Sequence, residues 1–228
     1  MIFDFFSKKK KFLTPLKPGE KFKLEIPGEK QNRVLYAVVI KVSKKKNIFV
    51  NFISKDKGND LTVGIEGKIT ALTSSQKIWF QSKFLHQEDE IFIFSPPEII
   101  FSQKIRPLVR ENSHPVFFSV QYRAMASPHT QKGEVIEFAW NGIKFLANLQ
   151  IPKDTLLNLE LNLPCRETPI QIREKVIFCS KSEEAPKKHF VQVSLKEMEI
   201  KDKEEILWYV CLQDEPFLSS DGKLSESR

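Results

Sequence analysis

Short runs of alternating apolar and polar residues, set between turn-forming residues about ten positions apart, constrain this chain more than any other feature. A period of two puts successive side chains on opposite faces of a strand, and runs this short leave little room for long helices. Lys21–Ile26 (KFKLEI) shows the alternation, and Pro27 with Gly28 ends it. Residues 34–42 and 47–53 are rich in β-branched and aromatic side chains, flank a charged 43–46, and predict a hairpin. Residues 68–72, 77–85 and Ile91–Phe94 supply further strands before Pro96 and Pro97 break the pattern. The pattern resumes at 115–123 and returns at 134–138, 143–147, 156–163, 170–179 and 189–195. The expected fold is mainly β: two small antiparallel β-barrel domains in tandem, the second closed by a C-terminal helix.

The predicted helix follows from a change of period. Asp202 and Glu205 have the spacing of a capping box, and Ile206, Leu207, Val210 and Cys211 recur on one helical face. The expected divisions are a basic and aromatic segment at 1–16, a first β-barrel at 17–95, a linker at 96–112, a second β domain at 113–213 and a disordered polar tail at 214–228.

Composition removes several function classes. Gly is scarce at 8 of 228 residues, against a glycine-rich nucleotide loop. Cys165, Cys179 and Cys211 are widely spaced, as are His86, His114, His129 and His189, so neither set forms a metal motif. No nucleophile elbow or P-loop stands out, and the expectation is a protein that is not an enzyme and has no cofactor. No apolar run reaches the length of a membrane span, and the unpaired thiols fit a reduced, cytoplasmic setting. The net charge of +7 favours anionic partners. Nucleic acid is not the expected partner: Phe118, Val120 and Tyr122 alternate with Ser119 and Gln121, a core face against a polar one rather than aromatics interleaved with cations. The Phe and Lys residues of 1–11 are read as a frayed segment in preference to a weak anchor on an anionic surface.

Two motifs carry a family resemblance. Gln103-Lys-Ile-Arg106-Pro-Leu-Val-Arg110 looks like the RxxxR sequence that opens PilZ domains, and Glu137-Phe-Ala139-Trp140-Asn141-Gly142 stands where that family has (D/N)xSxxG. The strand 156–164 ending in Leu-Pro and the run 204–210 also follow the PilZ outline, and residues before the joint resemble the N-terminal β domain of flagellar-brake type members. The resemblance covers roughly 17–212. It implies a bacterial signalling receptor whose ligand is cyclic di-GMP, held by Arg106, Arg110, Glu137, Ala139, Trp140, Asn141 and Gly142. It implies control of motility or biofilm growth, by reorienting the two domains and acting on a protein partner such as the flagellar motor. The chemistry suits the residues: Arg forks onto phosphate, bonds bidentately to guanine O6 and N7, and stacks on the base, none of which Lys does well. The second motif departs from the family at two positions. Glu137 is one methylene longer than Asp, and Ala139 lacks the serine hydroxyl. The alternative reading is therefore a degenerate PilZ protein acting as a protein–protein adaptor without nucleotide.

Overall fold

The computed structural model describes residues 16–28, 31–73, 76–104, 113–125, 127–183, 185 and 187–213. The expected segment 1–15, most of the linker and the tail from 214 lie outside the described residues. Thirteen strands and one helix make up the regular structure of the described residues.

The first barrel uses β1 (Lys21–Ile26), β2 (Arg33–Val42), β3 (Ile48–Phe52), β4 (Glu66–Leu72), β5 (Gln76–Glu88) and β6 (Ile91–Phe94). They pair in the order β4-β1-β2-β3-β6-β5, and a β4–β5 pairing closes the ring. Alternation sets the inside: Phe22 and Leu24 of β1 are fully buried, as are Leu35 and Ala37 of β2. Phenylalanine fills much of this core, with Phe52 and Phe92 edge to face at 4.6 Å. Gly58 is needed there, because it takes φ +66° and a Cβ would sit 2.8 Å from the Phe52 ring. The short β7 (Phe101–Lys104) then joins the free side of β5, with Phe101 stacked on Trp79 at 5.8 Å. The first sheet thus reaches past Pro96 and Pro97 into the stretch read as linker.

The second barrel comprises β8 (His114–Ala124), β9 (Gln131–Ala139), β10 (Gly142–Ala147), β11 (Leu156–Asn162), β12 (Ile170–Lys181) and β13 (His189–Ser194). It closes in the order β10-β13-β12-β11-β8-β9. Phe118, Val120 and Tyr122 point inward as their alternation predicts, while Phe117 is exposed.

The helix α1 (Ile200–Leu212) starts earlier than the sequence pattern suggests, and Glu199 precedes it without a side-chain cap. Asp202 and Glu205 do not form a capping box. Arg166, from the β11–β12 loop, instead holds both carboxylates, at 2.8 and 3.0 Å. One charged nitrogen of the Arg166 guanidinium reaches both carboxylates in place of the backbone amides, and no sequence spacing announces it. No described helix is long and apolar enough to cross a membrane.

The helix also joins the domains. Tyr36 lies between the inward Leu35 and Ala37, so its ring points out of the first barrel, yet it is only 4% exposed. It packs against Trp208 and Tyr209 of α1, with ring centroids 6.2 and 6.0 Å away. Lys21 of β1 bonds Glu205 at 2.6 Å, and Lys57 pairs with Glu167. Tyr36 is in effect a core residue of the second domain contributed by the first.

Candidate functional site

The second motif forms a tight hairpin on the second barrel. Ala139 pairs with Gly142, leaving Trp140 and Asn141 as the turn between β9 and β10. Phe138 and Ile143 point inward and are 1% exposed, so Glu137, Ala139 and Lys144 share the outer face. Glu137 and Lys144 are cross-strand partners, and the Lys144 Nζ donates to Glu137 Oε2 at 2.8 Å. That bond, with a lesser one from Ser113, holds the Glu137 carboxyl below its usual range despite partial desolvation.

Each turn residue also has a structural role. The Asn141 carbonyl accepts from the Leu195 amide at 2.9 Å. Gly142 lies so close to β13 that a Cβ would be 2.8 Å from the Val193 carbonyl oxygen. The half-buried Trp140 ring lies 5.6 Å from the Nζ of Lys203, a largely buried residue of α1, within cation–π range. The Asn141 residue is exposed and Ala139 half-buried.

The strand beside this hairpin is β8, where Pro115 pairs with Glu137 and His114 with Phe138. The described chain leaves the first barrel at Lys104 and resumes at Ser113, just before the β8 residues that pair with the hairpin. Arg106 and Arg110 lie outside the described residues. Of the residues singled out from sequence, the structure therefore brings together Glu137, Ala139, Trp140, Asn141 and Gly142. Sequence reasoning missed Lys144, Ser113 and Lys203. Lys144 was within reach of it: a two-residue turn at 140–141 pairs 139 with 142 and hence 137 with 144. Lys203 required knowing where α1 docks.

Chemically, this outer face offers a carboxylate acceptor, an ammonium donor, an exposed amide and an indole within a few residues. Such a set suits a polar ligand carrying both N–H donors and negative charge, and among the described residues it presents no nucleophile activated by a base.

No family model matches the chain, and no curated protein matches it. Among solved structures, it is similar to the inhibitor of motility MotI/DgrA of Bacillus subtilis, at 14% identity and a TM-score of 0.37, over 86% of this chain and 96% of that one. A likeness to YcgR of Escherichia coli in complex with c-di-GMP has 14% identity and a TM-score of 0.36, over 85% of this chain and 83% of that one. A third, to the MrkH–c-di-GMP complex of K. pneumonia, has 13% identity and a TM-score of 0.36, over 85% and 88%. At these identities and TM-scores, function has to be argued from the residues of this chain.

Proposed function

We propose that the second barrel and the RxxxR segment preceding it form a receptor for cyclic di-GMP, a non-enzymatic regulator that passes ligand occupancy to the first barrel and to a protein partner. One observation supports the reading: β8, which begins four residues after Arg110, pairs with the strand that carries the ExAxxG hairpin. Ser113 immediately precedes His114 and Pro115, which pair with Phe138 and Glu137 across the β8–β9 edge. Arg110 is three residues from Ser113, a reach of at most about 11 Å between α-carbons. Arginine side chains add enough length to close over a ligand resting on Glu137, Ala139 and Asn141.

In this arrangement the Glu137 carboxylate accepts N–H groups of a guanine edge, while Arg106 and Arg110 take phosphate or the O6/N7 edge. Lys144 holds Glu137 ionised and adds a cation on the same face. Trp140 and Asn141 border the site at the turn. The missing hydroxyl at Ala139 weakens binding by about 0.5–1.5 kcal/mol relative to a serine, roughly two- to tenfold.

The test is titration calorimetry of the purified chain with cyclic di-GMP. Binding is expected, and Arg106→Ala and Arg110→Ala should each weaken it by roughly tenfold or more, the value of a charge-assisted hydrogen bond. The exposed Arg123 on β8 serves as the control. Absence of heat at high micromolar nucleotide would discard the receptor and leave the adaptor reading. Control of motility or biofilm growth through the flagellar motor, and a cytoplasmic location, belong to the same proposal.

A further inference from the structure

An exposed aromatic ring stands beside the candidate site. Phe117 of β8 is 63% exposed, while its neighbours Val116 and Phe118 are buried at 1% and 5%. Alternation therefore puts the Phe117 ring on the outer face of the second barrel, together with the exposed Pro115. Pro115 is the cross-strand partner of Glu137, so the ring lies two residues, about 7 Å along the strand, from the position opposite that carboxylate. The ladder is irregular here: β8 has Val116 and Phe117 where β9 has the single Ile136, between the Pro115–Glu137 and Phe118–Val135 pairs. Bulges of this kind re-aim side chains beside functional sites.

A single exposed apolar side chain is ordinary on a protein surface. Two features set this one apart. Its backbone is held from behind, because the Phe117 carbonyl accepts the Tyr209 hydroxyl at 3.2 Å, and Tyr209 is 5% exposed and packed on Phe118 and Tyr36. A ring with two torsions on an anchored strand loses little entropy when a flat ligand settles on it. Its outer face is also shared with Glu137, which Lys144 holds ionised. A purine that offers its N–H edge to the Glu137 carboxylate can lay its face on an aromatic ring one step along the sheet.

We propose that Phe117 is a stacking platform for a guanine of the nucleotide, a binding residue outside both sequence motifs. The proposal rests on the receptor reading above and divides the work between two side chains. The Glu137 carboxylate accepts from the N1–H and N2–H donors of guanine, a pair that adenine does not present. The Phe117 ring takes any base, because every base has a π face, and so supplies affinity rather than selectivity.

The experiment is titration calorimetry of the full chain and its variants with cyclic di-GMP, alongside proton NMR of the bound nucleotide. Phe117→Ala should weaken binding roughly five- to a hundredfold, the worth of one base stacked on an aromatic side chain. Phe117→Leu, which keeps apolar bulk without the ring, should lose most of the same affinity, and Phe117→Tyr should keep it. The ring current of Phe117 should move the guanine H8 signal upfield in the parent and in Phe117→Tyr. That shift should vanish in Phe117→Leu, a readout that a purely structural role of the residue would not move. Leu149→Ala, an apolar truncation of an exposed residue in the loop at the far end of β10, should bind as the parent does. Melting curves establish that each variant folds. If the parent binds and Phe117→Leu binds equally well with an unchanged H8 signal, the platform is overturned and the receptor reading stands. If Leu149→Ala loses as much as Phe117→Ala, the effect is not local and the assignment falls. If the parent binds no nucleotide, both readings fall together.

Discussion

Replacing Tyr36 by alanine isolates the contact that fixes the two barrels together. The ring is 4% exposed and lies on the outside of the first barrel, so its removal leaves Leu35, Ala37 and the rest of that interior in place. The loss falls on Trp208 and Tyr209, whose centroids lie 6.2 and 6.0 Å away. Truncating a large buried aromatic to alanine costs about 3–5 kcal/mol when the cavity cannot collapse. Two domains can slide to close such a gap, so the lower end, about 3 kcal/mol, is expected. Of that, about 0.5–1.5 kcal/mol should belong to each ring pair and be recoverable from a Tyr36/Trp208 double-mutant cycle. Urea unfolding followed by fluorescence is a suitable assay, because Trp79 sits in the first barrel while Trp140 and Trp208 sit in the second domain. The parent should unfold as one transition, and Tyr36→Ala should split it, with solution scattering showing a more extended particle at low denaturant. If Tyr36→Ala keeps a single transition with an unchanged midpoint, Tyr36 does not couple the domains.

Three further outcomes are expected. Gly142→Ala should destabilise the second barrel by about 1–3 kcal/mol in chemical denaturation, because the new methyl meets the Val193 carbonyl at 2.8 Å and backbone must move; an unchanged midpoint would show that the hairpin shifts freely. The Glu137 carboxyl should titrate below its ordinary range by NMR, and Lys144→Gln should raise it. A lowered folded value means that its contribution to stability is present above the ordinary carboxylate value and lost as pH falls through the folded one, so acid sensitivity should lessen in the Lys144→Gln variant. Burial pushes the Cys165 thiol and the Tyr209 phenol up to about 12, from ordinary values of 9.0 and 10.0. Both are raised, so their contribution is complete below the ordinary values and lost as pH climbs toward 12, and native Cys165 should resist alkylation near neutral pH at a rate that Tyr36→Ala increases.

Period-two alternation made much of this fold legible, because strand burial on one face is written directly into residue order. The Phe118, Val120 and Tyr122 face of β8 is such a case. What stayed illegible was the use of an outward position for burial. Tyr36 reads as the solvent side of a strand and becomes core only because α1 lies across it. Asp202 and Glu205 likewise match a capping box, but Arg166 claims both. The candidate site divides the same way. The hairpin 137–142 was readable as a motif, and the Glu137–Lys144 pair follows from turn length, whereas the Trp140–Lys203 contact depends on tertiary docking.

That docking also constrains how a ligand on the second barrel could act on the first. The sequence favours a hinge at the proline-broken joint, but the structure holds the domains by a buried ring and the ion pairs of Lys21 and Glu205 and of Lys57 and Glu167. A physical link runs from the candidate site to that interface. Pro115 pairs with Glu137, and two residues along β8 the Phe117 carbonyl accepts the Tyr209 hydroxyl at 3.2 Å. Tyr209 in turn packs on both Phe118 and Tyr36. A ligand that displaces the start of β8 must either carry Tyr209 with it or break that hydrogen bond, worth about 0.5–1.5 kcal/mol. The response it can drive is bounded by its differential affinity for the two arrangements. On the proposed receptor reading, a ligand weakened by the alanine at 139 would therefore loosen this interface more readily than it would swing one barrel around the other.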